Sequence, residues 1–193
     1  MTSFEREGRD ALLTNDDESN LIAQAQQQLP YNSEAYSKLM NSHQNHIYAT
    51  CRRVLGDQTE AEDATQDVMI RIFHKITKFK FESSFKTWVF TIARNVCFTM
   101  LAKRKKSMEM YEQYGLESGT FSHTPQNATE AQDHIDVIFQ QLTHDERSIL
   151  ALRYMAELEI SEIAKVSDLS LSATKMRLYR AIERFKQLSE QFT

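Results

Sequence analysis

The chain has 193 residues, of which 41% are hydrophobic and 26% charged, with only four Gly and two Pro. Such a length suits one or two small domains with real cores. So few chain breakers exclude a sandwich or barrel, whose short strands need a turn signal roughly every 8–12 residues, and the apolar runs stay well under the roughly 18 residues of a membrane span. The net charge of −4 argues against nucleic acid only if the charges are evenly spread, and they are not.

Residues 1–15 carry no periodicity and are expected to be a disordered extension; their acidic start without an apolar stretch predicts no secretory signal. Asp16, Asp17 and Glu18 then supply acids at a helix start, and Leu21, Ile22 and Ala25 repeat at helical spacing until Pro30. Ser33-Glu34 opens a second helix, in which Leu39, Met40, Ile47, Cys51, Val54 and Leu55 make a single stripe closed by Gly56. A third, from Thr59, buries Ala61, Ala64, Val68, Ile72 and Ile76, with Glu60, Glu62, Asp63 and Asp67 crowding its first half. The fourth, Ser84 to Lys106, buries Phe85 or Trp88 with Ile92, Val96 and Met100. It holds six bases and no acid from Lys86 onward. Residues 16–106 thus predict one four-helix domain.

Residues 107–130, with Gly115, Gly119 and Pro125, read as an acidic linker; from Ser107 to Glu146 there are eight acids and no Lys or Arg. A second helical domain is expected over 131–193. Ile135, Ile138, Phe139 and Leu142 form a stripe, and Thr143 to Glu146 is a capping box. Ile149, Leu150 and Met155 continue inward. Ser161 caps a short helix holding Ile163, Ala164 and Val166. After the turn Ser167 to Ser170 a last helix runs to about Leu188, with five bases against the single acid Glu183 from Ser172 onward. The fold class is all-α: two small helical domains joined by a flexible linker, the second a helix-turn-helix.

A short helix, a turn of about four residues and a longer basic helix suit a major groove. Thr174, Leu178, Ile182 and Phe185 share the face that must dock. Ser172, Met176, Arg180 and Arg184 fall opposite, with Lys175 and Tyr179 at the flank, and Arg or Lys there can reach guanine edges. The alternative is an ordinary amphipathic terminal helix. In the first domain Phe79, Phe81, Phe85, Trp88, Phe90 and Phe98 interleave with bases. Rings can stack on unpaired bases for about 1–3 kcal/mol each while cations hold phosphates. Each ring taken alone is more often core, and Phe85 and Lys86 in the 81–86 loop are the favoured contacts. Two basic islands separated by acid suggest two nucleic-acid contacts, against solvated helix faces.

Catalysis finds no support. There is no Gly-rich phosphate loop, no nucleophile–base pairing, and Cys51 and Cys97 form no framework. His43-x-x-His46 could bind a metal at i,i+3, but a solvated pair is expected. No enzyme activity, cofactor or metal is therefore predicted.

Residues 17–25, Leu55-Gly56-Asp57, Glu60 to Val68 and Phe79 to Asn95 resemble the promoter-melting domain of extracytoplasmic-function (ECF) RNA polymerase sigma factors. Glu162-Ile163-Ala164 with Thr174 to Ala181 resembles that family's upstream-element reader. The resemblance spans about residues 17 to 188, and its most specific stretch is Ser83 to Asn95. It implies that Asp63, Gln66, Asp67, Ile70 and Phe73 face core RNA polymerase. It further implies that Phe85, Lys86, Trp88, Arg94, Asn95 and Lys103, Arg104, Lys105, Lys106 contact the −10 element and hold a flipped base. Ser172, Ala173, Lys175, Met176, Arg177, Tyr179, Arg180 and Arg184 would contact the −35 element. The implied partners are core polymerase, promoter DNA and an anti-sigma factor, and the implied location is cytoplasmic. Asp168, Ser170 and Ser172 depart from the family's usual turn, and Met176 and Tyr179 are not its standard readers. The competing readings are a stand-alone helix-turn-helix regulator and an adaptor that binds only proteins.

Overall fold

The computed structural model describes residues 15–114 and 130–192; the expectations for residues 1–14 and for the linker from 115 to 129 lie outside them. Among the described residues the chain is helical, without a strand. Helices α1 (Asn15–Gln28), α2 (Glu34–Asn41), α3 (Gln44–Leu55), α4 (Gln58–Lys75) and α5 (Phe85–Gln113) build the first unit. Helices α6 (Glu130–Gln141), α7 (His144–Tyr154), α8 (Ile160–Ser167) and α9 (Leu171–Ser189) build the second. The all-α expectation holds.

In the first unit α3, α4 and α5 pack together around Ile47, Val54, Val68, Ile72, Val89 and Val96, all buried. Each such side chain contributes about 1.5–3 kcal/mol. Local chemistry sets the joints. Gly56 ends α3 in the left-handed region at φ 79°, and the very next residue caps α4, Asp57 Oδ1 accepting from the Glu60 amide at 2.7 Å. Gln26 ties α1 to the far end of α4, its amide donating to the carbonyls of Ile76 and Phe79, both at 2.8 Å.

Several boundaries differ from expectation. The single helix expected from Ser33 to Gly56 is two: the Ser42 hydroxyl donates to the Leu39 carbonyl at 2.8 Å and closes α2. His43 then turns inward, packing on Phe85 at 5.4 Å between ring centroids, with Nε2 3.0 Å from Glu18 Oε1. The expected solvated His43–His46 pair is thus not formed, because His43 is a core residue. Helix α5 continues past Lys106 to Gln113 into what was expected as linker. Ala, Lys, Arg, Met and Glu are strong helix formers, and Lys105 pairs with Glu109 at 3.8 Å one turn on. Ile135 is exposed rather than part of the α6 stripe, while Ile138 and Leu142 are buried as expected. Helix α8 is capped from Glu159, not Ser161, since the Glu162 carboxylate reaches back to the Glu159 amide at 3.0 Å.

The two units also pack against each other, α3 on α7 and α5 on α8, and their buried side chains form one continuous cluster. Asp136 of α6 binds both Arg52, at 2.9 Å, and Arg53 of α3. The Arg53 guanidinium lies 5.0 Å from the centre of the Phe139 ring.

Candidate nucleic-acid and polymerase interfaces

The helix-turn-helix is built from α8, a three-residue turn and α9. Asp168 takes the left-handed conformation at φ 53°, ψ 50°, where it accepts the role usually given to glycine. Ser170 caps α9, its Oγ accepting from the Ala173 amide at 3.2 Å. Thr174, Leu178, Ala181 and Leu188 face inward, and Phe185 meets Phe139 edge-on at 5.7 Å. The opposite face carries Ser172, Lys175, Met176, Arg177, Tyr179, Arg180 and Arg184, all exposed, with Ala173 half-buried at its edge. Tyr179 is 76% exposed, an apolar ring that nothing in the fold requires to face water.

On α5 the expected −10 residues divide. Asn95, Lys103, Arg104, Lys105 and Lys106 are exposed, while Lys86, Trp88 and Arg94 are half-buried. Asn95, Lys103 and Lys106 line an open groove of about 570 Å³ with Phe98, Thr99 and Ala102. Phe85 departs from expectation. Its ring is 3% exposed, clustered with Phe79 at 5.5 Å and Trp88 at 5.6 Å, so it is core and not an outward contact in this arrangement. The ring that the loop does offer is Phe81, 52% exposed and held at φ 58°. A non-glycine residue there costs about 1–2 kcal/mol. Phe85 is favoured in the sequence for its place in the 81–86 loop, and Phe81 shares that loop; the fold separates the two rings.

Several cations of α5 already have neighbours. Lys86 Nζ lies 3.7 Å from Glu157, and Arg104 lies 3.4 Å from Glu60. The Arg94 guanidinium stacks 4.2 Å from the Phe98 ring centre. Burial, together with Arg177 nearby, holds its pKa below the ordinary arginine value.

On α4, Asp63, Gln66 and Ile70 are exposed, Ile70 by 56%, while Asp67 and Phe73 are half-buried. Asp67 pairs with Arg71 at 2.8 Å, and Phe73 meets Tyr36 edge-on at 5.3 Å. Spacings of three and four residues put the five on one side of the helix. Thr65, beside them in sequence, is buried and donates to the Ala61 carbonyl at 2.6 Å. Among the described residues no cluster of His, Cys, Asp and Glu could hold a metal ion, and no helix is long and apolar enough to cross a membrane.

A helical bundle with an exposed basic helix and a helix-turn-helix has the features of a DNA-binding protein. Residues 39–107 match Sigma-70 region 2 and residues 138–187 match Sigma-70 region 4. The chain is 25% identical over 166 residues to ECF RNA polymerase sigma factor SigW of Bacillus subtilis, covering 80% of this chain and 88% of that one. It is 25% identical over 183 residues to RNA polymerase sigma-H factor of Pseudomonas aeruginosa, covering 89% and 93%. In fold it is similar to the sigma factor RpoE of Bartonella quintana, solved with the anti-sigma factor NepR, at a TM-score of 0.67 and 21% identity over 82% of this chain and 98% of that one. The chain belongs to the sigma-70 family, in its ECF group. It is an RNA polymerase sigma factor, directing transcription from promoters, and sigma factors as a class are not enzymes.

Proposed function

We propose a division of labour in which α4 holds core RNA polymerase, α5 melts and grips the −10 element, and α9 reads the −35 element. The exposed cationic face of α9 carries this reading: Lys175, Arg177, Arg180 and Arg184 project together from a helix whose other side is core. Lys175, Met176, Tyr179 and Arg180 lie centrally and face bases, while Arg177 and Arg184 meet phosphates. The run Asn95 to Lys106 follows the non-template strand, and Phe81 is the exposed ring on which an unpaired base stacks. Asp63, Gln66, Asp67, Ile70 and Phe73 form the polymerase contact.

The chain itself acts without catalysis, converting binding energy into strand separation while polymerase supplies the chemistry in the cytoplasm. Flipping a base costs a few kcal/mol, which stacking and phosphate contacts together offset. An anti-sigma factor is the natural inhibitor, since the similar RpoE was solved with one. Transcription by purified core polymerase on a random promoter library tests the proposal. Initiation from a defined sequence class supports it, and initiation independent of added chain would overturn it.

A further inference from the structure

We propose that Met176 and Tyr179 make thymine a determinant of the −35 element, by seating the C5 methyl groups of one or two neighbouring base pairs between the cations of α9. This rests on the reading of α9 as the −35 reader and extends it to the bases read. Met176 is 55% exposed and Tyr179 76%, on a helix whose inward side is filled by Thr174, Leu178 and Ala181. Folding buries neither side chain, and a helix face meant only for water carries charged or polar groups. At about 100° per residue the two fall within roughly 60° of each other, at the middle of the outward face. Lys175 flanks them on one side and Arg180 on the other, both exposed. The patch is apolar at its centre and cationic at both edges, which suits a groove walled by phosphates.

The major groove offers one apolar group, the thymine methyl; the other features of the base edges are donors and acceptors. A thioether has no proton to donate and accepts only weakly. Set against a guanine or cytosine edge, Met176 would keep water from polar atoms without replacing their hydrogen bonds, which is unfavourable. Set against a thymine methyl, it buries apolar area on both partners. One side chain thus favours one base and disfavours others, which supplies both halves of discrimination. Tyr179 follows at i+3, where side chains on a helix are neighbours, and its ring extends the seat. The rise between the two residues is about 4.5 Å against about 3.4 Å per base step, so they cover neighbouring pairs. Both lie in the first half of α9, the end whose residues contact base edges in a helix-turn-helix.

The test uses holoenzyme, core polymerase with the full chain, on duplex promoters carrying the −35 sequence selected from the random library. Each thymine of that element is replaced in turn by deoxyuridine, which lacks only the C5 methyl and keeps the base pair. At one position or two neighbouring ones, the parent holoenzyme should bind roughly fourfold more weakly, the scale expected for one buried methyl group. Holoenzyme carrying Met176→Ala or Tyr179→Ala should bind thymine and deoxyuridine alike there, and the double-mutant cycle isolates that coupling. The deoxyuridine series needs only the parent chain, so it stands whether or not a variant folds. Equal binding of thymine and deoxyuridine at every position overturns the proposal, as does a selected element with no thymine on either strand. Substitution of guanine by 7-deazaguanine, which removes the N7 acceptor, is run alongside. Sensitivity to it with none to deoxyuridine defeats the methyl contact alone, whereas indifference to both defeats the reading of α9 beneath it. If the alanine variants lower capture of core polymerase and leave base dependence unchanged, the patch faces protein and the proposal fails.

Discussion

Arg180 and Arg184 stand one turn apart on the same exposed face of α9, yet their loss should look different. Arg180 is placed against base edges, so Arg180→Ala should cost about 1–3 kcal/mol on the preferred −35 sequence and relax the preference there. Arg184 is placed against phosphate, so Arg184→Ala should weaken all sequences evenly and reduce the salt slope by about one. Salt-titrated binding of polymerase carrying each variant to −35 promoter variants separates the two; identical behaviour refutes the face assignment. A second residue-scale prediction concerns Gly56. Its φ of 79° disfavours any side chain, and a Cβ there would stand 3.3 Å from Arg147 Nη1, a guanidinium of the second unit. Gly56→Ala should lower stability by about 1–2 kcal/mol, and Gly56→Asn by less because Asn tolerates the left-handed region. Denaturant unfolding would show it, and equal stability of all three chains would contradict it.

At the scale of the helix, the capping box at the start of α7 is a discrete contribution. Thr143 Oγ1 accepts from the Glu146 amide at 3.3 Å, and the Glu146 carboxylate accepts from the Thr143 amide at 2.8 Å. Thr143→Ala should cost about 0.5–2 kcal/mol, read from thermal melting, while Thr143→Ser should cost much less. This cap was legible in the sequence because its two residues sit at fixed offsets and serve each other. The cores of α4 and α9 were legible for a related reason, since Ala61, Val68, Ile72, Thr174 and Leu178 recur at helical spacing and are buried. Where the deciding partner is distant in sequence, the pattern is silent. The break between α2 and α3 depends on His43 finding Glu18 and Phe85. The choice between Phe85 and Trp88 depends on Phe79, which packs on both. The last turns of α5 lack an apolar stripe because they touch no core, and periodicity has nothing to report there.

For the whole molecule, the docking of the two units was the least legible feature, since its partners Ser84 and Glu162, or Arg53 and Asp136, lie 78 and 83 residues apart. An acid in a charged sequence looks like solvated surface until its partner is placed. The docking carries a definite dependence on pH. Burial alone would raise the Glu162 carboxyl, but the Glu159 amide, the Ser84 and Thr87 hydroxyls and the Lys86 ammonium together hold it below the usual carboxylate range. The folded pKa is therefore the lower of the two, and the stabilisation from this clasp is fully present above the unfolded value, about 4.3. It is lost as pH falls through the depressed folded value, because the proton then taken up removes the charged acceptor. The parent chain should melt above Glu162→Gln by a constant margin from pH 7 down to about 5, and the margin should close as the carboxyl protonates. A margin that persists undiminished below about pH 4 would mean that Glu162 acts through shape rather than charge.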